Sequence, residues 1–222
     1  MTDDPAPRLK RHVPPPRAAW PRVVLGATLV IGALGAAGFF AIRSTYRGDD
    51  WAGAFVDFPV GTTWTYKVRA EGQEGVSVAA VVRQEGGRTT IERRGPEDEL
   101  RVSVWYAANG YVCEAVVVDG VARPPERIYR IGAIRGHGWL VREEDPAYTT
   151  KYLGLADTVV PAGKFRNCIN VRLVLKTAVQ DSCFAPGVGL VRVEHVVLPD
   201  PVLHIHGGRI YLMELVEFKR GK

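Results

Sequence analysis

Three histidines near the C-terminus are the residues best suited to hold a metal ion. His204 and His206 are two positions apart, so both imidazoles project to one side of an extended segment. His195 comes nine residues earlier, with Glu194 beside it, and together these side chains could ligate zinc or copper. The alternative is a pair of polar histidines in a loop. Because the spacing defines no third ligand, the sequence predicts no bound metal or cofactor.

The cysteines are the next residues that could do chemistry. Cys168 and Cys183 come near the ends of two stretches that could form one hairpin, with a turn around 176–180. In an oxidising compartment, a bridge between them would close a loop of about 15 residues and stabilise the fold by roughly 3 kcal/mol. We predict this disulfide. Cys113 remains as a buried odd thiol, and it has no histidine nearby in sequence to act as its base.

No motif indicates a catalytic site. No serine stands in a G-x-S-x-G nucleophile elbow. The glycine-rich stretch 132–138 lacks the Lys-Ser/Thr ending of a phosphate-binding loop and precedes no helical pattern. The sequence therefore predicts a protein that is not an enzyme.

Aromatic residues are candidates for a binding surface, because aromatic and apolar side chains line most small-molecule sites. On a curved sheet they could form an apolar concave face that holds a lipid chain. The alternative is that they are ordinary core residues. The candidates are Trp64, Tyr66, Trp105, Tyr111 and Trp139.

These residues fall on short stretches that alternate in hydrophobicity. Between 62 and 69, Trp64 and Tyr66 alternate with polar residues, which is typical of a half-buried strand. Turn signals such as Asn109-Gly110 separate the stretches. We predict a mainly β domain, an antiparallel curved sheet or half-barrel of about nine or ten strands. The strand-like stretches are 62–69, 76–84, 89–93, 100–107, 111–118, 127–131, 138–142, 164–175, 189–198 and 209–218.

An apolar stretch near the N-terminus predicts one membrane span. Residues 23–42 are uncharged and lie between Arg22 and Arg43. About 20 helical residues cross a bilayer core of roughly 30 Å. The predicted organisation is a basic, proline-rich cytoplasmic tail (1–22), a transmembrane helix (23–43), a tether (44–54) and an extracytoplasmic β-rich domain (55–222).

Basic residues predict the orientation of this span. Five precede it, whereas Arg43 and Arg47 are the ones that follow soon after, so the positive-inside rule places the N-terminus in the cytoplasm. This predicts a bacterial inner-membrane protein with its main domain in the periplasm or outside the cell. The alternative is a cleaved signal peptide, with small residues at 35–37 as the cleavage site.

The net charge of +5 does not indicate a nucleic-acid partner. Residues 1–22 contribute +3 of it, from five basic and two acidic side chains, which leaves +2 for the other 200 residues. A nucleic-acid binder concentrates its basic residues on the folded domain. We therefore predict no nucleic-acid partner.

Three segments resemble a known family. They are FPVGTTWTY at 58–66, VPAGKFRNC at 160–168 and CFAPGVGLV at 183–191. In this order they resemble the TapB-like family of poorly characterised bacterial secreted proteins and lipoproteins. The resemblance spans about 55–218 and implies an antiparallel sheet curved into a half-barrel, without catalytic residues. The family's lipoprotein cysteine is absent, and the apolar span stands in its place.

Two function hypotheses follow from these features. The first is a non-enzymatic, membrane-anchored envelope domain that binds a partner protein or scaffolds an envelope assembly. The second is a half-barrel carrier or sensor of a lipid or other apolar ligand. Neither the ligand, the partner nor the oligomeric state follows from the sequence.

Overall fold

The computed structural model describes residues 51–142, 145–199 and 207–222. The predicted tail, the predicted transmembrane helix (23–43) and most of the predicted tether lie outside these ranges, as do His204 and His206. Within the described ranges, no helix is long and apolar enough to span a bilayer.

One short helix and thirteen strands make up the described region. The helix, α1, covers Trp51–Phe55. The strands are β1 (Thr63–Ala70), β2 (Gln73–Glu85), β3 (Arg88–Arg94), β4 (Leu100–Ala108), β5 (Tyr111–Val118), β6 (Val121–Ala122), β7 (Glu126–Arg130), β8 (Gly138–Arg142), β9 (Asp145–Val160), β10 (Gly163–Val174), β11 (Ala178–Ala185), β12 (Gly189–Val197) and β13 (Gly208–Lys219).

The strands form one antiparallel sheet. Neighbours in the chain are neighbours in the sheet from β1 to β6 and from β8 to β13, and the pairing of β1 with β13 joins the two runs. The first and last strands of the domain therefore meet in the middle of the sheet. On β1, Trp64, Tyr66 and Val68 are buried and the residues between them are more exposed, as the pleat of a strand requires.

The prediction of a mainly β antiparallel sheet is confirmed, but the predicted count of about nine or ten strands is too low. All ten predicted stretches are strands, and β6, β9 and β11 are additional. The pattern of β9 is interrupted at Gly154, which has a φ of 104°. On β11, four consecutive residues from 182 to 185 are buried. Both faces of β11 are covered there, so its hydrophobicity does not alternate.

The predicted turn at Asn109-Gly110 is confirmed between β4 and β5. Both residues have positive φ, 52° and 78°. A two-residue hairpin turn of this type needs positive φ at both central positions, which asparagine and glycine tolerate best. The pairing of Ala108 with Tyr111 shows that the turn is this short.

The two edges of the sheet come together between β7 and β8. Trp139 on β8 donates from Nε1 to the backbone carbonyl of Arg127 on β7, at 3.0 Å. Arg142 on β8 pairs with Glu126 on β7. Within the described residues no backbone ladder joins these two strands. Side-chain contacts therefore join the two edges at this seam in place of a backbone ladder.

Buried side chains of the described region form two clusters. One contains Trp64 of β1, and the other contains Trp105 and Tyr129. Helix α1 belongs to the second cluster: Phe55 is 2% exposed, and its ring stacks on Tyr129 with centroids 5.4 Å apart. Residues 51–54, which were predicted to end the tether, are thus part of α1, whose buried residues are Gly53, Ala54 and Phe55.

Candidate ligand cavity

The curved sheet surrounds a cavity of about 530 Å³. Side chains from β3, β4 and β5 line one side, and side chains from β7 to β13 line the rest. Small-molecule sites in proteins typically have volumes of roughly 300–1,000 Å³. The cavity is therefore large enough to hold an organic ligand.

Strand alternation determines which residues reach this cavity. On β11, Gln180, Ser182 and Phe184 line it. Their neighbours Asp181 and Cys183 line a second cavity of about 290 Å³, which Ser182 also borders. Successive side chains of a strand point to opposite faces, so the two cavities lie on opposite faces of the sheet.

One part of the cavity wall is apolar. Trp105 on β4 and Phe184 on β11 lie close together there, with ring centroids 6.2 Å apart. Phe55 of α1 packs beneath both, at 6.2 Å from Trp105 and 4.4 Å from Phe184. Helix α1 thus supports the apolar wall, although it lines the cavity with no residue of its own.

Another part of the wall is basic. Arg93 on β3 and Arg101 on β4 are directly opposite each other in the strand register, and both line the cavity. Side chains of directly opposed residues lie on the same face, about 4.5–5.5 Å apart at Cβ. Two like charges in this arrangement destabilise the sheet unless something neutralises them.

The two arginines differ in their partners. Arg101 lies 3.4 Å from Glu114. The other lining carboxylate, Glu126, is paired with Arg142. Arg93 forms no ion pair among the described residues, and its Nε is buried without a hydrogen-bond partner. Its guanidinium lies 5.7 Å from the centre of the Tyr66 ring.

Tyr211 and His195 complete the polar part of the wall. They are opposite each other on β13 and β12, and both line the cavity. Burial raises the pKa of Tyr211; the nearby Arg93 and Arg101 oppose that rise, and the Glu99 carboxylate adds to it. Its hydroxyl donates to the sulfur of Met213 at 3.4 Å, a weak acceptor. The Tyr211 hydroxyl therefore stays neutral and can donate a hydrogen bond close to both arginines.

Of the five aromatic residues proposed for ligand binding, Trp105 lines the main cavity. Trp64 and Tyr66 are core residues that donate to the carbonyls of Val188 and Leu190. They border a small void of about 30 Å³ next to Arg93. Trp139 donates across the seam, and Tyr111 packs beside it with ring centroids 6.4 Å apart.

The predicted Cys168–Cys183 disulfide is not supported, because both cysteines are buried free thiols, as is Cys113. The register explains this. Cys183 is opposite Asn170, so Cys168 is its diagonal neighbour. Diagonal Cα atoms are about 7–8 Å apart, whereas a disulfide needs about 4.4–6.8 Å. The two thiols interact instead: a hydrogen bond with Cys168 and burial raise the pKa of Cys183, and Thr158 Oγ1 lies 2.9 Å from the Cys183 sulfur.

The histidine hypothesis is only partly within the described region. His195 lies on the cavity wall, whereas His204 and His206 are outside the described residues. Among the described residues, no group of three or more His, Cys, Asp or Glu side chains is placed to hold a metal ion.

Arg93 and Arg101 were not singled out in the sequence, although a signal was present. Arg93 alternates with Ile91 and Thr89 on β3, so all three project to the same face. Thr89 is 1% exposed. An arginine on the buried face of a strand is unusual unless it is paired, and this could have marked it as a functional residue.

The sequence of the chain gives no match to known proteins, and its fold gives distant ones. No protein-family model matches the chain, and no curated protein matches it. Among solved structures, a lipoprotein candidate from Parabacteroides distasonis is 14% identical, with a TM-score of 0.45. That match covers 75% of this chain and 99% of the other. The resemblance to the TapB-like family stays a prediction.

Proposed function

We propose that the domain binds an amphipathic small molecule in the 530 Å³ cavity and acts as a carrier or sensor of it. The observation that carries this proposal is the division of the cavity wall. Trp105 and Phe184 form an apolar part, and Arg93 and Arg101 form a basic part. Small-molecule sites combine a mostly apolar wall with a few polar groups that orient the ligand.

The setting we propose is the bacterial envelope. The apolar segment at 23–43 would anchor the chain in the inner membrane, with the cavity domain in the periplasm or outside the cell. A carrier or sensor in this position would meet ligands that leave or enter the bilayer. No catalytic group is needed for this activity.

Binding can be tested with the full chain held in an amphipathic polymer, using the neutral solvatochromic dye Nile red. Leu173 lines the cavity, and replacing it with tryptophan would fill part of the space. We expect Leu173→Trp to reduce the dye's fluorescence gain at least threefold. Leu155→Trp, the same change at a residue that is 37% exposed and lines neither cavity, should leave it unchanged. Equal dye binding by both variants and the original chain would reject the proposal.

A second candidate function is the docking of an envelope partner protein. Val76, Val78 and Val82 on β2 project to one side of the sheet and are 57%, 43% and 42% exposed. Exposed apolar side chains grouped in this way are common at protein–protein interfaces. A photoreactive residue at Val78 should then give a discrete cross-linked adduct in intact cells. The same probe at Val121, which is 66% exposed on β6, should not.

A further inference from the structure

The basic part of the cavity wall indicates which chemical class of ligand the cavity would take. This inference rests on the proposed function. Arg93 and Arg101 are directly opposed like charges. Such a pair costs stability. Proteins also seldom leave a buried guanidinium nitrogen without a partner, because its desolvation is uncompensated. An anion placed between the two arginines would remove both costs.

The polar groups near this position are mainly donors. The two guanidinium groups and the Tyr211 hydroxyl can donate hydrogen bonds. The carboxylates on the wall are already engaged, Glu114 by Arg101 and Glu126 by Arg142. A charged acceptor therefore fits this position better than a cation or a neutral donor. Arginine is especially suited to planar or tetrahedral oxyanions because it can donate two parallel hydrogen bonds.

The rest of the wall suits a hydrocarbon chain. Trp105, Ile128, Leu190 and Met213 line the same cavity as the arginines. One cavity thus offers apolar surface and a basic position together. A free inorganic anion would leave the apolar part unused, and a plain hydrocarbon would leave Arg93 unpaired.

We propose that the ligand is an anionic amphipath, with a carboxylate or phosphate head held by Arg93, Arg101 and Tyr211 and an acyl or alkyl tail held against the apolar wall. Arg93 is the main recognition residue, because it has no ion pair among the described residues. Arg101 contributes from the mouth of the cavity, where its side chain is 51% exposed and shared with Glu114.

The test compares three ligands that share a tail and differ in the head with one anion that has no tail. Each of hexadecanoate, hexadecyl phosphate, hexadecanol and inorganic phosphate is added as a competitor to the full chain with Nile red bound. Hydrogen bonds to a charged head group are stronger than those to a hydroxyl. We therefore expect hexadecanoate or hexadecyl phosphate to displace the dye at a concentration at least about 10-fold lower than hexadecanol does. Whichever of the two anionic ligands displaces the dye at the lower concentration identifies the preferred head group. Inorganic phosphate should not compete, because it has no tail.

Substitution of Arg93 links this preference to one residue. In Arg93→Met we expect hexadecanol to bind as before and the anionic ligands to bind at least about 10-fold more weakly. Arg94→Met is the matched control, because Arg94 follows on the same strand, projects to the other face and pairs with Asp98 at 3.1 Å. Retained hexadecanol binding also shows that the variant is folded.

The outcomes separate the two proposals. If hexadecanol and the anionic ligands bind the original chain within twofold of each other, the inference about the head is overturned while the cavity function stands. An unchanged anion preference in Arg93→Met overturns the role of that residue. If no tailed ligand displaces the dye, the proposed function fails as well.

Discussion

Tyr66 lies where the core meets the basic part of the cavity. Its hydroxyl donates to the carbonyl oxygen of Leu190 at 3.0 Å, and the side chain is 1% exposed. Burial raises the pKa of Tyr66 well above its usual value; the Arg93 cation opposes this rise, and Tyr211 adds to it. The folded protein therefore strongly favours the neutral phenol.

This pKa shift predicts a loss of stability at alkaline pH. Above pH about 10, the usual pKa of tyrosine, the unfolded chain releases the Tyr66 proton while the folded chain keeps it. The contribution of this group to stability is thus complete below that pH and declines as the pH rises above it. In Tyr66→Phe we expect a shallower alkaline decline and, at pH 7, a loss of about 1–2 kcal/mol because the Leu190 carbonyl loses its donor.

Urea unfolding of the full chain between pH 7 and 11 measures both effects. Tyr148→Phe is the control, since Tyr148 is 41% exposed and its hydroxyl is not enclosed by the core. The same alkaline slope in Tyr66→Phe as in the original chain would contradict the assignment.

The cysteines give a second prediction at the residue scale. Because Cys168 and Cys183 are diagonal neighbours with free thiols, we expect three titratable thiols per chain when the protein is unfolded without reductant. In the folded protein we expect slow alkylation, because all three thiols are buried. Burial also raises the pKa of Cys113, whereas the hydrogen bond with Cys183 lowers that of Cys168, so burial is what protects Cys168. A count of one thiol would instead mean that two cysteines are bridged.

At the scale of the elements, the bend that leads into β12 combines a left-handed backbone conformation with close packing against the core. Gly189 has a φ of 91°, and a Cβ there would lie 3.0 Å from Cζ of Phe58 and 3.4 Å from Nε1 of Trp64. That same indole donates to the carbonyl of Val188. The bend, the core and the start of β12 therefore depend on one residue without a side chain.

Gly189→Ala should destabilise the domain by about 1–3 kcal/mol, from backbone strain and overpacking together. Gly138→Ala is the matched control. Gly138 also begins a strand, β8, but it lacks a positive φ, and its Cβ would come no closer than 3.5 Å to the Thr150 carbonyl. Chemical denaturation of both variants gives the comparison. Equal stabilities would show that the bend adapts to a side chain.

On the scale of the whole molecule, α1 joins strands that are far apart in the sequence, because it packs against β4, β7 and β11. Phe55 packs against Trp105, Tyr129 and Phe184. Two of these rings also form the apolar wall of the cavity. The segment that follows the predicted span thus supports the proposed binding site.

Phe55→Ala should lower the free energy of unfolding by about 3–5 kcal/mol, the usual range for a buried phenylalanine. It should also weaken Nile red binding, since Trp105 and Phe184 lose their support. Val60→Ala, at a residue that is 50% exposed, should change stability by less than about 0.5 kcal/mol. A loss below about 1 kcal/mol in Phe55→Ala would mean that α1 is not part of the core.

Local patterns in the sequence predicted much of the sheet. Alternation identified β1 through Trp64 and Tyr66, and Asn109-Gly110 identified the hairpin between β4 and β5. These features depend on neighbouring residues, whose backbone preferences and two-residue period are local properties. β11 was absent from the list of strand-like stretches, although the hairpin proposed around 176–180 implied a strand there, and β10 does pair with β11. It lacks alternation because both its faces are packed, and that packing is not a local property.

The cavity could not be predicted in this way. Arg93, Glu126 and Tyr211 are far apart in the sequence and line one space because β1 pairs with β13 and the seam brings β7 to β8. The sequence by itself determined most of the antiparallel strands and the turn at Asn109-Gly110. The tertiary structure decided that Trp64 and Tyr66 lie in the core, that the predicted disulfide partners are diagonal, and that an arginine without an ion pair among the described residues faces a cavity. The physical reason is that these outcomes depend on register and curvature, which arise when distant strands pair.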